Sequence, residues 1–91
     1  MSGENSRWFE RLVEVMEKLR GPGGCPWDKE QTPQSLKQFL VEECAELLDA
    51  IDDGSEAGMC EELGDILMHV AMHSVIAKER GAFDINEVAR Q

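Results

Sequence analysis

The middle of the chain carries two acidic motifs separated by a helix-breaking turn. The first, Glu-Glu-Cys-Ala-Glu at 42–46, and the second, Glu-Glu-Leu-Gly-Asp at 61–65, each hold carboxylates three residues apart. On a helix, residues at this spacing share a face. Between the motifs, Gly54 can take the left-handed conformation that ends a helix, and Ser55 can cap the next one. The pattern predicts two antiparallel helices that bring four acids together. These acids are Glu43, Glu46, Glu62 and Asp65.

The four acids lie within or beside the apolar stripes of their helices rather than opposite them. On a wheel of about 100° per residue, Glu43 falls inside an apolar stripe and Glu46 lies at its edge. A carboxylate that points into a core must be paired, neutralised or bound to metal. Nearby Lys and Arg residues are few, so a metal site is favoured over a solvated acidic face. The side chains that share these two faces are Leu36, Phe39, Leu40, Leu47 and Ala50 in the first helix, and Met59, Ile66, His69, His73 and Ile76 in the second.

The remaining sequence predicts an all-α fold in one domain over residues 1–91. Residues 1–5 are polar and are expected to be flexible. Gly21, as the C′ residue, and the following proline should end the first helix. Residues 21–29 are too rich in glycine and proline for a helix or strand, so a loop is predicted there. The result is an antiparallel bundle of three main helices plus a short C-terminal one. The predicted helices span Ser6–Arg20, Pro33–Asp53, Glu56–Arg80 and a segment capped by Asp84.

Length and charge restrict the partners of such a domain. A chain of 91 residues buries only a modest core, and oligomerisation is a common remedy. Residues 66–72 are apolar nearly all round the third helix, which predicts burial by a second subunit. The net charge of −10 argues against a surface that binds nucleic acid or an anionic membrane. An anionic substrate would therefore arrive with its charge covered, most simply as a magnesium complex.

The sequence favours a cytoplasmic protein. Its first ten residues carry no apolar run of the kind found in signal peptides, and no segment is apolar enough to span a bilayer. Cys25, Cys44 and Cys60 lack a CxxC spacing. Free thiols in a reducing compartment are the simplest interpretation.

An all-carboxylate site selects Mg²⁺, or Mn²⁺, over softer metals. Such ions support phosphoryl and phosphoric-anhydride chemistry by bridging phosphate oxygens and activating water. Glu42 or Glu46 could take the proton from that water, and the sequence does not choose between them. A di-iron bundle is disfavoured because no Glu-x-x-His motif is present. The GxxxxGK[ST] phosphate-binding motif is also absent.

Four further residues are candidates for substrate contact. Trp27 is either a plug over the core or a surface on which a base stacks, and Phe39 could contact the same base. Lys29 lies just upstream of the acidic helix, where a cation could contact phosphate. His73 is either a core or interface histidine, or a donor to a phosphate or to a carboxylate behind the metal.

Several segments resemble MazG-type nucleoside triphosphate pyrophosphohydrolases, members of the all-α NTP pyrophosphohydrolase superfamily. Residues 19–32 read Leu-Arg-Gly-Pro-Gly-Gly-Cys-Pro-Trp-Asp-Lys-Glu-Gln-Thr and are similar to the opening of that family. The two acidic motifs and the Gly-Ala-Phe-Asp at 81–84 are similar as well. The resemblance runs from about residue 9 to the end, and the Cys-Pro-Trp-Asp-Lys loop narrows it to MazG.

The resemblance implies a metal-dependent enzyme that splits NTPs, often noncanonical ones, into NMP and pyrophosphate. It implies a homodimer or homotetramer, with the magnesium ligands at Glu43, Glu46, Glu62 and Asp65. MazG domains normally continue into a further helix with a Lys/Arg-rich segment that helps hold the substrate phosphates. We therefore expect the domain to be short at its carboxyl end. The alternative is a non-catalytic metal-binding helical oligomer that acts as a binding or regulatory module.

Overall fold

The regular structure of the chain is entirely α-helical. A computed structural model describes residues 3–91, with side chains from Arg7 onward, and contains no strand in that range. The all-α prediction is therefore confirmed. The helices are α1 (Gly3–Arg20), α2 (Pro26–Glu30), α3 (Pro33–Asp52), α4 (Glu56–Glu79) and α5 (Ile85–Arg90).

The predicted helix boundaries hold within one residue for α3 and α4 but need two corrections elsewhere. Helix α1 begins at Gly3 instead of Ser6; of the stretch expected to be flexible, residues 1 and 2 lie outside the described part. The predicted loop over 21–29 contains the start of α2. Pro26 begins this helix because its fixed φ suits the first helical position, where no N–H is needed. The Lys29 N–H then donates to the Cys25 carbonyl at 3.1 Å.

The turn after α1 depends on two glycines other than the one predicted. The left-handed residue is Gly23, with φ +76°, and not Gly21. Gly24 lies against the end of α1, where a Cβ atom would come within 2.3 Å of the Leu19 carbonyl oxygen. The Cys25 N–H donates to that same oxygen at 2.9 Å. The chain thus folds back on the last carbonyls of α1 and directs α2 along it.

The predicted helix stop at Gly54 and cap at Ser55 are confirmed, and a capping box precedes α3. Thr32 and Ser35 form a capping box, with side-chain hydrogen bonds of 3.1 and 2.9 Å to each other's backbone N–H. Gly54 has φ +67°, and the Ser55 hydroxyl accepts from the Gly58 N–H at 3.0 Å. This tight turn makes α3 and α4 an antiparallel hairpin. The Asp84 carboxylate likewise caps α5.

The hydrophobic core lies at one end of this hairpin. The second half of α4 packs against α1 and the start of α3, and Ala71 is fully buried there. None of the core residues lies in the first half of α4, where Leu63 and Leu67 are 51% and 41% exposed. Within residues 3–91, no helix is long and apolar enough to cross a membrane. The core residues are Met16, Leu36, Ala71, Met72, Val75 and Ile76.

Candidate metal and substrate site

Three of the four predicted acids converge between α3 and α4. Carboxylate oxygens of Glu43, Glu62 and Asp65 lie within 4.8 Å of one another, and all three residues are half-buried. Glu43 reaches this position because it follows the inward stripe of α3. Glu46 is exposed and lies outside the three-acid group, although its carboxylate is next to Glu62. The hairpin thus concentrates negative charge where apolar packing would otherwise continue.

Two oxygens of this cluster are buried without a hydrogen-bond partner. Glu43 Oε2 and Glu62 Oε2 have almost no solvent contact and no partner among the described residues. A buried polar atom in this condition costs free energy. Within residues 3–91, no lysine or arginine forms an ion pair with either acid. A divalent cation with oxygen ligands fits this donor set.

The pKa values of Glu62 and Glu43 are both raised, because their carboxyl groups are buried close to other carboxyl groups. Burial, together with the neighbouring carboxyl groups of Glu46 and Glu43, raises the pKa of Glu62 to about 7. Burial also raises the pKa of Glu43, with the charges of Asp65 and Glu46 acting in the same direction. A cation at the centre would reverse both effects, because it favours the ionised carboxylates.

An apolar cavity of about 400 Å³ opens beside the acids. Glu43 and Asp65 form its polar side, while most of the wall is hydrophobic or aromatic. Apolar walls with a few converging polar groups are typical of small-molecule sites. The lining residues are Met16, Leu19, Trp27, Asp28, Leu36, Phe39, Glu43, Asp65, Met68, His69 and Met72.

The predicted aromatic residues form one wall of this cavity. Trp27 and Phe39 meet edge to face, with ring centroids 5.9 Å apart and planes at 71°. Trp27 is 51% exposed and borders the cavity beside core residues, so both interpretations of this residue stay predictions. Two other candidates, Lys29 and His73, do not line the cavity. Glu42 is exposed on α3, outside the three-acid group.

The two histidines of α4 lie on the acidic face as a stacked pair. Their ring centroids are 6.2 Å apart, and only His69 lines the cavity. Burial lowers the pKa of both, and His69 lowers that of His73 further. His73 Nε2 is buried and contacts no carboxylate within the described chain. The part of the prediction that gave His73 a carboxylate partner is therefore not seen.

Asp28 and Met68 line the cavity but were not singled out from the sequence. Both lie in segments where the spacing of apolar residues does not show which side chains face the interior. Asp28 lies in α2, within the stretch predicted as loop, and Met68 lies on a helix that is apolar nearly all round. The only available signal was the position of Asp28 within the MazG-like segment at 19–32.

Comparison with known proteins supports the family resemblance. Residues 31–91 match the MazG nucleotide pyrophosphohydrolase domain. The chain is 57% identical over 82 residues to the nucleoside triphosphate pyrophosphohydrolase/pyrophosphatase MazG of Thermotoga maritima, covering 90% of this chain and 32% of that protein. It is 42% identical over 81 residues to the nucleoside triphosphate pyrophosphohydrolase of Escherichia coli, covering 88% and 31%. The protein of the same name from Mycobacterium tuberculosis is 45% identical over 94 residues, with coverage of 98% and 28%.

The chain thus spans about a third or less of the length of these curated relatives. The family match itself covers residues 31–91 of the 91-residue chain, and it includes both acidic motifs. The chain therefore belongs to the MazG nucleotide pyrophosphohydrolase domain family.

Proposed function

We propose that this domain hydrolyses nucleoside triphosphates, including noncanonical ones, to the monophosphate and pyrophosphate. The observation that carries the proposal is the pair of buried, unpartnered oxygens of Glu43 and Glu62 beside Asp65, at the edge of an apolar cavity. The names of the relatives point to the same reaction.

Glu43, Glu62 and Asp65 would hold Mg²⁺ or Mn²⁺, with Glu46 as a fourth ligand. Their donor set is all oxygen, which suits these hard cations. Glu46 adjoins Glu62, which supports its place as the fourth ligand. A bound Mg²⁺ supplies charge neutralisation for the phosphates and acidifies an attacking water.

The apolar cavity would take the base and sugar. Trp27 and Phe39 offer ring edges and faces to a base, and stacking of this kind tolerates every base. In a nucleotide, the α-phosphate is the first phosphorus after the sugar. Because the carboxylates border the cavity directly, a nucleotide with its base and sugar in the cavity would bring its α-phosphate nearer to them than its terminal phosphate. This arrangement favours release of pyrophosphate over release of the γ-phosphate.

In the proposed reaction, water attacks the α-phosphorus and the bond from that phosphorus to the bridging oxygen breaks. Pyrophosphate leaves with the electron pair, and the proton of the water passes to Glu42 or Glu46. Glu46 is adjacent to the acid cluster, whereas Glu42 is solvent-exposed on the same helix. If Glu46 is not a metal ligand, it is the better placed base. If Glu46 is a ligand, Glu42 is the better candidate for the base.

Lys29 and His73 remain proposed contacts to the substrate phosphates. Lys29 is exposed in the last turn of α2 and its long side chain could reach an incoming phosphate. His73 has a buried Nε2 that no described residue engages. Each contact would need the substrate to be bound before it forms.

We further propose a cytoplasmic homodimer or homotetramer that binds neither nucleic acid nor membranes. The exposed apolar side chains on the first half of α4, such as Leu63 and Leu67, support a second copy packed there. The net charge of −10 disfavours polyanionic partners.

The test is to incubate the protein with Mg²⁺ and a panel of standard and noncanonical nucleoside triphosphates. We expect nucleoside monophosphate and pyrophosphate in equal amounts, resolved by ion-exchange chromatography. Helical circular dichroism and Mn²⁺ binding are measured on the same sample. Metal binding without products from any nucleotide would favour the non-catalytic module. Release of orthophosphate would show that the bond to the terminal phosphate is cleaved and would contradict the proposal.

A further inference from the structure

Arg20, the last residue of α1, connects three separate segments of the chain. Its Nε and Nη2 donate to the two carboxylate oxygens of Glu79, at 2.8 and 2.9 Å. Its Nη1 donates to the backbone carbonyls of Asp28 and Gln31, at 2.5 and 2.9 Å. The Arg20 side chain is only 9% exposed. The planar guanidinium therefore joins the end of α4 to the end of α2.

Helix α2 has little else to hold it in place. It is five residues long and has no buried residue. Its backbone packs on α1 only. It is linked to α3 by the edge of Trp27 against Phe39 and by the exposed side chain of Gln31, which donates to the Trp27 carbonyl and accepts from the Ser35 hydroxyl. Short helices leave their last carbonyls unsatisfied and do not persist alone in water. The Arg20 guanidinium satisfies carbonyls at this end and adds a positive charge where the helix dipole favours one.

The position of α2 matters because two of its residues, Trp27 and Asp28, line the cavity beside the acids. We propose that Arg20 is a positioning residue that holds the Trp27 wall of the cavity in place and so sets the affinity for the base end of the substrate. This role rests on the proposed function only where it concerns the substrate. The effect on Trp27 itself holds whether or not the chain is active.

A second ion pair provides a matched control. The Lys78 Nζ lies 3.1 Å from the Glu17 carboxylate and also joins α1 to α4. Both side chains are exposed, and neither lines the cavity that Trp27 borders. Loss of this pair should change the α1–α4 contact while leaving α2 untouched.

The first experiment measures Trp27 directly, in a Trp8→Phe background that leaves it as the single tryptophan. We expect Arg20→Met to increase acrylamide quenching of Trp27 fluorescence and to lower its anisotropy, and Lys78→Met to change neither. Circular dichroism checks that the total helix content falls by no more than the five residues of α2 would account for. Unchanged quenching and anisotropy in folded Arg20→Met would overturn the proposal.

The second experiment separates KM from kcat. We expect Arg20→Met to raise KM for a nucleoside triphosphate about tenfold, the order expected when one stacking contact is lost, with kcat kept within about twofold. Lys78→Met should keep both parameters. A fall in kcat at constant KM would contradict the assigned role. If the parent protein releases no pyrophosphate, the proposed function fails, and the fluorescence result still decides whether Arg20 holds α2.

Arg20→Lys covers the case in which the methionine variant does not fold. A lysine ammonium keeps the charge but cannot reach Glu79 and both α2 carbonyls with a rigid fork. For Arg20→Lys we expect both quenching and KM to lie clearly above those of the parent protein. If Arg20→Met is folded, both values should also lie below those of Arg20→Met. Quenching and KM equal to the parent's would show that charge alone suffices and would overturn the forked geometry.

Discussion

At the residue scale, the chain's most informative atoms are two buried carboxylate oxygens without partners. They belong to Glu43 and Glu62, whose carboxylates cluster with that of Asp65, and no lysine or arginine of the described chain pairs with them. Replacing one of these carboxylates by a neutral side chain should raise the free energy of unfolding of the metal-free protein and lower that of the metal-bound protein. The two effects have opposite signs, so they can be measured separately.

Replacing Glu43 by glutamine should remove metal binding and turnover together. Because even residues behind a metal's ligands cost 10- to 100-fold when lost, we expect a fall in Mn²⁺ affinity of at least about 100-fold. Isothermal titration with Mn²⁺ and the rate of pyrophosphate release measure the two effects. Glu61→Gln, an exposed acid on α4, is the control and should change neither. Turnover at the parent rate in Glu43→Gln would remove Glu43 from the site.

The pH dependence of the metal-free protein should follow Glu62. Its pKa in the folded chain is about 7, above the ordinary 4.5. The folded state therefore holds more protons than the unfolded state between those values, and the free energy of unfolding should fall as pH rises from 4.5 to 7. Urea unfolding in EDTA across this interval measures the slope. Mg²⁺ should restore the lost stability at pH 8.

Glu62→Gln should flatten that slope, whereas Glu61→Gln should retain it. The lowered pKa values of His69 and His73 act in the opposite direction inside the interval, because below pH 6.5 the folded state holds fewer protons on them than the unfolded state. Both histidines are present in both variants, so the difference between the two slopes isolates Glu62. The contribution of Glu79, whose pKa is lowered chiefly by its hydrogen bond to Arg20, is lost only as pH falls below 4.5 and so lies outside the interval. An equally steep slope in Glu62→Gln would show that another group carries the effect.

At the element scale, helix ends were predictable where the cap is local. Thr32, Ser55 and Asp84 each accept a hydrogen bond from a backbone N–H three residues on, and such bonds depend on near neighbours alone. The sequence did not predict helix α2, because five residues are too few to show the spacing of apolar residues that marks a helix. Its stability comes from Arg20 and the end of α1, which local patterns do not reveal.

Two glycines offer a matched pair of substitutions in or beside α4. Gly54 has φ +67°, so Gly54→Ala should destabilise the fold by about 1–2 kcal/mol, the cost of a left-handed L-residue. Gly64 is helical, and an added Cβ would meet nothing within 4 Å in the described chain. Gly64→Ala should therefore stabilise by about 1 kcal/mol through helix propensity. Urea unfolding measures both, and a destabilised Gly64→Ala would mean that another surface packs against this position.

At the scale of the whole molecule, the core occupies only one half of the hairpin. The second half of α4 is buried by α1, while Leu63 in the first half is 51% exposed and Leu67 is 41% exposed. Isolated exposed leucines are ordinary, but these two lie four residues apart and so share one helix face. A second copy of the chain would complete the core at this end.

Leu67→Glu should therefore shift the protein from an oligomer to a monomer. A charge at that position could not be buried against a second copy without a partner. Light scattering after size-exclusion chromatography gives the mass directly. Phe83→Glu is the control, because Phe83 is similarly exposed at 45% but lies in the loop after α4. A monomeric parent protein, or an oligomeric Leu67→Glu, would contradict the predicted interface.

The sequence by itself determined the all-α class, the α3–α4 hairpin and the inward direction of Glu43, Glu62 and Asp65. Those features follow from periodicity and capping, which act over a few residues. Only the tertiary structure decided that Trp27 is a cavity wall and that Arg20 joins residues 8, 11 and 59 positions away. Such contacts depend on how the helices are placed against one another, and that placement is set by the packing of the whole core.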